Sequence, residues 1–444
     1  MNHTAISTED PEEVSTFSND KANIWRGWLV CLCASLFFFY EFIQMNMFNA
    51  ISAQLMQTFH VNATQLGRLS SFYFIANVIF LFPAGILLDR CSTRKIILTS
   101  LAICIVGTAL FAWTSSVAWA SVFRFLTGIG SAFCFLSVIR LSTRWFPAAR
   151  MALVIGIVVT MAMIGGMAAQ TPLTLLAQAV SWRSALFIDA SFGVIIFAVI
   201  AWFVVDYPPS HHEQHQFERQ QISQMGYWKS MGLAFLKMQN WFGGIYVCLM
   251  NLPISLLGGI WGVLYLVNAH QLSRLDATYI TSMLFLGTII GGPISGWLSD
   301  RICLRRLPMI VGAIISLALI LIIMLVPQLS MLSLLLLFLA IGLSTSTQII
   351  GYPTVAENSI PAITAMSVSV VNITVMSGQA IFQPIFGRLM DLHAKLHHQV
   401  VGVYIGSDFS WAMLIIPVGF IIALLAVFNL RETYCRRRDE TIIE

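Results

Sequence analysis

Apolar runs of about 20 residues, each long enough to cross the hydrocarbon core of a bilayer as a helix, recur along the whole chain. Twelve can be marked, beginning near Trp28, Gln65, Ile96, Ala118, Arg150, Ser184, Trp241, Ala277, Pro308, Met331, Ile363 and Phe409. The longest polar break opens with Asp206-Tyr-Pro-Pro, runs through a stretch rich in His, Gln and Glu, and ends near residue 240. Such a cluster of Pro and polar residues marks a linker, here one carrying a surface helix, and it parts the first six runs from the last six. The expected division is a disordered polar tail over 1–24, a six-helix half over 25–205, a linker over 206–240, a second six-helix half over 241–430 and a tail over 431–444.

Composition narrows the class. Hydrophobic residues make up 58% of the chain and charged residues 10%, against about 25% charged in a soluble domain. A chain this poor in charge cannot cover itself in water. In lipid, spans must satisfy their own backbone groups, which long apolar runs do as helices. The fold class is therefore an all-α integral membrane protein of twelve transmembrane helices. The first 20 residues are polar and acidic, with Glu9, Asp10, Glu12, Glu13 and Asp20; with no basic segment ahead of a cleavable apolar core, no signal peptide is expected. The eight cysteines are scattered, mostly in apolar runs, without a CxxC pair, and read as reduced small hydrophobes.

Lys and Arg orient the spans. With the N-terminus placed in the cytosol, Lys21, Arg26, Arg90, Arg94, Lys95, Arg140, Arg144, Arg150, Arg219, Lys229, Lys237, Arg301, Arg305, Arg306, Arg431, Arg436, Arg437 and Arg438 fall inside or at the inner edge. Arg68, Arg124, Arg183, Arg274, Arg388 and Lys395 fall on the outer side. An 18-to-6 bias predicts that both termini and the linker are cytosolic.

One element occurs almost twice. Gly85-Ile-Leu-Leu-Asp89-Arg90-Cys-Ser-Thr-Arg94-Lys95 is matched by Gly296-Trp-Leu-Ser-Asp300-Arg301-Ile-Cys-Leu-Arg305-Arg306. The copies are 211 positions apart, close to half of 444 residues, so the chain is two related halves. Both copies fall at the same cytosolic address, between spans 2 and 3 and between spans 8 and 9. Gly85 and Gly296 are of a size that lets helices approach closely in lipid. Asp89 and Asp300, at helix-to-loop junctions, are placed to take the N-terminal amides of a following or neighbouring helix and to pair with Arg90, Arg94, Arg301 or Arg305. The bland alternative is a simple cap with positive-inside arginines.

Twelve helices in two halves with this doubled loop resemble the major facilitator superfamily, whose signature loop is G-x-L-x-D-R-x-G-R-[RK]. Gly85, Leu87, Asp89, Arg90 and Arg94 match it, with Ser92 and Thr93 departing; the second copy keeps Gly296, Leu298, Asp300, Arg301 and Arg305. Arg124-Phe-Leu-Thr-Gly128 is similar to the family's R-x-x-x-G in span 4. Details resemble both the organic-anion symporter branch and the lysosomal dipeptide transporter branch. The span 5 antiporter signature, G-x8-G-x3-G-P-x2-G-G, is only partly present, since Ala169-Gln170 replaces Gly-Pro.

Ionisable groups inside a membrane are costly and are either functional or paired. Glu41 lies about 20 Å from the cytosolic end of span 1 and Arg124 about 9 Å from the outer end of span 4 at 1.5 Å per residue, so in a core about 30 Å thick their depths coincide. They read as a pair, a substrate clamp or a proton site. Asp189, near the outer end of span 6, reads as a partner of Arg183, and Arg140 as snorkelling. Tyr40 and Gln44 on span 1, Asn251, Trp261 and Tyr265 on span 7, and Gln348 on span 10 are the neutral candidates. Asn251-Leu-Pro253 and Gly258-Gly259 predict a break in span 7 that frees backbone groups. His211, His212 and His215 lack carboxylate or Cys partners at ligand spacing and read as solvated loop, as do His393, His397 and His398.

The resemblance implies a secondary active transporter working by alternating access in a bacterial inner (plasma) membrane, with no enzyme activity, cofactor, metal or nucleic-acid partner. It implies a small polar metabolite as substrate: an amino acid, short peptide or organic anion. Protons are the expected coupling ion, because Glu41 is the one central acid, and a monomer is expected. The alternatives are a drug or metabolite exporter by proton antiport and a non-transporting membrane sensor of the same fold.

Overall fold

The computed structural model describes residues 11–146, 150–206, 227–326, 328–359, 364–397 and 404–436, which form helices and, among the described residues, no strands. The chain builds α1 (Pro11–Phe59), α2 (Ala63–Arg90), α3 (Thr93–Trp113), α4 (Val117–Trp145), α5 (Leu153–Val180) and α6 (Trp182–Phe203). After a short helix over Tyr227–Leu236 come α7 (Met238–Met250 continued by Pro253–Trp261 and Gly262–His270) and α8 (Arg274–Ile302). Then follow α9 (Arg306–Leu325), α10 (Met331–Glu357), α11 (Thr364–Leu396) and α12 (Gly406–Asn429). Among the described residues, eleven segments are long and apolar enough to cross a membrane; α2, of 28 residues, completes the twelve expected. Residues 207–226 of the expected linker and 1–10 of the expected tail lie outside the described residues; from Pro11 the backbone already belongs to α1.

The helices follow from the composition of each run, and their interruptions from particular residues. In α5 the helix breaks at Ala169-Gln170 and restarts at Thr171 with Pro172 in its first turn, where a missing N–H costs nothing. In α7 the stretch Pro253–Trp261 widens into a π-helix, the local form that absorbs Pro and paired Gly without ending a span. The expected break is therefore a widening, not an unwound loop.

The two halves repeat one packing scheme. In the first, α1 packs on α5, α2 on α4 and α3 on α6; in the second, α7 packs on α11, α8 on α10 and α9 on α12. Close approach is set by small residues, as lipid-solvated packing requires: a Cβ at Gly128 of α4 would run into the Tyr73 backbone of α2, so Gly128 brings Tyr73 and Arg124 onto neighbouring turns. Across the halves, α2 lies against α11, α1 against α7 and α5 against α8.

One face of the molecule carries the start of α1 and the ends of α4 and α6: Trp28 and Phe146 are 4.7 Å apart by ring centroids, and the Trp145 indole donates to the Val205 carbonyl at 3.1 Å. On the corresponding face of the second half, the start of α9 meets the end of α12, where Arg306 donates to the Phe428 carbonyl at 3.0 Å. This termini face is opposed by a far face. Toward the far face, hydrogen bonds join the halves: Ala63 with Tyr404, Thr64 with Asp391, Ser71 with the Ala380 carbonyl, Asn49 with the Val263 amide, Gln170 with Gly258 and Thr281, and Thr171 with Thr278 and Ser282.

Candidate functional site

Glu41 on α1 and Arg124 on α4 are both buried, 4% and 0% exposed, at the common depth that their spacing predicts. No direct ion pair joins them among the described residues. Tyr73 of α2 stands between: its hydroxyl donates to Glu41 Oε1, and the Arg124 guanidinium lies 4.7 Å from its ring centroid. Arg124 also lies 4.6 Å from the Phe48 ring and donates through Nη1 to the Gln44 carbonyl at 3.0 Å. That leaves Glu41 Oε2, Arg124 Nε and Arg124 Nη2 without a hydrogen-bond partner. Buried polar atoms are normally satisfied, so these three, on either side of Tyr73, stand out among the described residues.

Gln44 holds this floor in place. Its Nε2 donates to Asp189 Oδ2 at 2.5 Å, and its Oε1 accepts from the Thr108 hydroxyl at 2.7 Å. The expectation that Asp189 pairs with Arg183 is thus corrected: Arg183 donates to the Thr114 carbonyl at 2.9 Å and lies over the Trp182 ring at 4.4 Å. A carboxylate on the inward face of α6 is reached more easily by α1 than by the first turn of its own helix. Tyr40 is wholly buried in the packing of α3 and α6, against Gly193 one turn after Asp189 and so beside this group.

In the second half, Asn251 Nδ2 donates to Gln348 Oε1 at 2.9 Å, leaving Asn251 Oδ1 unpaired. One turn along, Tyr352 donates to Asn372 Oδ1 at 3.0 Å. Asn372 precedes Met376 by one turn, and Met376 packs on the cluster that contains Tyr73. The Asn251–Gln348 pair and the Tyr352–Asn372 pair thus lie on α7, α10 and α11. Trp261 and Tyr265 belong to neither pair. Trp261 stacks on Phe386 at 5.6 Å and Tyr265 faces His270 at 3.2 Å, both toward the far face.

The π-helix of α7 frees carbonyls, and glutamines fill them. Gln383 of α11 donates to the Ser255 carbonyl at 3.1 Å, and Gln170 of α5 to the Gly258 carbonyl at 2.9 Å. Gln170 also accepts from Asn49 at 2.7 Å and from Thr281 at 2.9 Å, while Asn49 accepts from the Val263 amide at 3.0 Å. Gln170 thereby ties α1, α5, α7 and α8 together from the position where the antiporter signature carries Pro.

The repeated loops differ from their expectation in one respect. The Arg94 amide at the start of α3 and the Arg305 and Arg306 amides at the start of α9 are taken by an acid following the last helix of each half. Asp206 accepts from the Arg94 amide at 2.8 Å and from the Ser92 hydroxyl; Glu432 accepts from the Arg305 and Arg306 amides at 2.8 and 2.9 Å. Asp300 instead pairs with Arg305 at 2.7 Å, and Arg305 pairs with Glu357 of α10 at 2.6 Å. Burial works against the Arg305 charge, but the hydrogen bonds to Glu357 and Asp300 more than offset it and hold its pKa above the ordinary value. Arg301 lies over the Trp297 ring at 5.1 Å, and Arg94 donates to the Ala201 carbonyl. Nothing stands within 4 Å of a Cβ built at Gly296, so that glycine serves no close approach here. Gly85 lies in the last turns of α2; the side chains of Asp89 and Arg90 lie outside the described residues.

Sequence reasoning missed Tyr73, Asn49, Gln170, Thr281, Asp206 and Asp391. A signal existed for two: Tyr73 follows Ser70-Ser71 in an otherwise apolar span, and Gln170 interrupts a recognisable signature.

Two six-helix halves of one packing scheme, with charge buried inside the first, define a polytopic membrane protein built by duplication. The chain belongs to the Major Facilitator Superfamily, whose family model matches residues 32–383. It is 23% identical over 305 residues to the membrane sensor protein UhpC of Salmonella typhimurium, covering 63% of each chain. It is 24% identical over 289 residues to a probable galactarate/D-glucarate transporter, GudP, of Escherichia coli, covering 57% of this chain and 63% of the relative. The matches thus span less than two thirds of these relatives' length. A bacterial homologue of the human lysosomal transporter Spinster, solved inward-facing and unoccupied, shares the fold with a TM-score of 0.71 at 18% identity, over 94% of this chain and 99% of the other.

Proposed function

We propose that the protein is a secondary active transporter that moves a small organic anion by alternating access, coupled to protons through Glu41. The observation that carries this reading is the group of three unpaired polar atoms, Glu41 Oε2, Arg124 Nε and Arg124 Nη2, buried around Tyr73. Arg124 Nη2 and Nε offer the fork that a carboxylate or phosphate oxygen takes up. A substrate anion there competes with Glu41 for the same positive field, so loading the anion and protonating the acid favour each other. The neutral amides of Asn251, Gln348 and Asn372 stand ready for the uncharged hydrogen-bonding part of the substrate. Hydroxylated dicarboxylates, the class in the name of the GudP relative, fit both ends. The termini face is read as cytosolic from the Lys and Arg bias, the membrane as a bacterial inner membrane, and the unit as a monomer.

Reconstitution into liposomes tests the reading: sugar acids, other organic anions, amino acids and dipeptides are offered with and without an inward proton gradient. Gradient-dependent accumulation of an anion supports it. Saturable binding without flux would instead support a sensor, the reading favoured by the UhpC relative. Proton-driven exit of the anion would support an exporter, against which the loss of Gly-Pro at Ala169-Gln170 weighs.

A further inference from the structure

A helix leaves the amide groups of its first turn without partners inside the helix, and α2 meets this demand in an unusual way. The Gln65 amide is capped locally by Asn62 Oδ1 at 2.9 Å. The two amides before it are served by the other half of the molecule. The Thr64 amide donates to Asp391 Oδ2 of α11 at 3.0 Å, joined by the Thr64 hydroxyl, and the Ala63 amide donates to the Tyr404 hydroxyl at 2.8 Å. Tyr404 itself donates to Asp391 Oδ1 at 2.5 Å. One carboxylate of the second half thus holds the first two amides of a helix in the first half, one directly and one through Tyr404, where the partial positive charge of the helix end favours an anion.

The backbone is built to let this happen. A Cβ at Gly387, one turn before Asp391, would meet the Ala63 carbonyl and the Thr64 amide, so a glycine is what lets α11 touch the start of α2. Two turns before Asp391, Pro384 lacks the N–H that the Ala380 carbonyl would accept within an unbroken helix. The Ser71 hydroxyl of α2 stands 2.8 Å from that carbonyl, sharing its one proton between it and the Gly67 carbonyl of its own helix, also at 2.8 Å. The Ala63, Thr64, Ser71 and Gly387 contacts cross from one half to the other at the far face.

We infer that Asp391 is the latch of the far face: the halves part there only when its carboxylate leaves the first turn of α2. The inference concerns the conformational equilibrium and stands whatever the protein carries. The latch is directional, because it holds one face shut and makes no contact at the termini face.

Double electron–electron resonance on the full-length protein in nanodiscs tests it. Cys91, Cys303 and Cys435, the cysteines with exposure, are replaced by Ser, and spin labels are placed at Ser116 and Val326, exposed far-face positions of the two halves. Asp391→Ala is expected to raise the far-face-open population about threefold or more. Thr64→Val and Tyr404→Phe, milder changes that keep side-chain volume, are expected to shift it the same way. Asp276→Asn, which alters a carboxylate on the same face that caps its own helix through Ser273, is expected to leave the distances unchanged. If Asp391→Ala does not fold, the two milder variants decide the matter. Distance distributions for the folded Asp391 and partner variants that match the parent, or an equal shift with Asp276→Asn, would overturn the latch while leaving the transport reading intact.

Discussion

The Tyr73 hydroxyl donates to the Glu41 carboxylate, and this bond decides how the buried charges communicate. Because Arg124 rests on the Tyr73 ring and not on the carboxylate, the acid and the base are coupled through one phenol. Moving that phenol changes the surroundings of both.

Tyr73→Phe keeps the ring under Arg124 and removes only the hydroxyl. Hydrogen bonds to charged groups contribute about 1.5–3 kcal/mol, so proton-driven uptake is expected to fall about tenfold or more, with a displaced pH profile. Binding of an anion that needs only Arg124 is expected to change little. Uptake against external pH, beside equilibrium binding, separates the two. Equal loss of both would mean that Tyr73 merely packs.

Glu41→Gln is expected to abolish accumulation driven by a proton gradient while leaving counterflow, which needs only the site and the rocking motion. Arg124→Gln is expected to weaken anion binding by about tenfold or more, since a charge-assisted contact is lost. The opposing view is a permanent structural pair, in which each single change leaves a buried charge uncompensated and the double neutral change restores the protein. With Tyr73 between the two groups, no such restoration is expected; pH-driven uptake recovered in Glu41→Gln/Arg124→Gln would establish the structural pair.

Glu357→Gln removes the closest partner of Arg305, which at 2.6 Å is held between α9 and α10. The side chains are mostly buried, so a loss of about 1–3 kcal/mol is expected, seen as a Tm lower by several degrees in detergent. The arginine's raised pKa means that its contribution is complete below the ordinary arginine value and lost only as pH rises beyond it. Arg305 therefore adds no pH dependence in the working range. An unchanged Tm would show that Asp300 alone suffices.

How far the chain could be read without coordinates depended on which solvent a residue meets. Lipid imposes long apolar runs and a charge bias at their ends, so the twelve spans, the two halves and the common depth of Glu41 and Arg124 were legible. Facing was not. Tyr73 looks like any aromatic in a span until Gly128 brings its helix against α4. Asp189 looks like a partner for Arg183 until α1 presents Gln44 to it. The caps Asp206 and Glu432 were hidden for another reason: each serves a helix whose start lies more than a hundred residues earlier, and no local pattern announces a cap at that distance.

Reporter fusions at Tyr227 and after Arg436 are expected to read cytosolic, and fusions at Ser116 and Val326 external, because the Lys and Arg excess collects on the termini face. A cytosolic signal at Val326 would reverse the second half and remove the basis for reading the latched face as the outer one.

Gln170 offers a test of whether the far face closes through one network or two. Its carboxamide is wholly buried, donates to Gly258 and accepts from Asn49 and Thr281. In Gln170→Ala the Gly258 carbonyl loses its donor, a cost of about 1–3 kcal/mol wherever water cannot replace it. Asn49→Ala orphans the Val263 amide on the same turn of α7. Both changes strain the far-face-closed state, so each is expected to raise the open population read between labels at Ser116 and Val326. The pair share a hydrogen bond, so their effects are expected to be non-additive. Asp391 touches neither residue and acts on α2 and α11, so Gln170→Ala combined with Asp391→Ala is expected to be additive in free energy. Additivity between Gln170 and Asn49 would break the proposed hub. Strong coupling between Gln170 and Asp391 would mean that the face opens as one cooperative unit, with the glutamine and the aspartate two ends of a single closure.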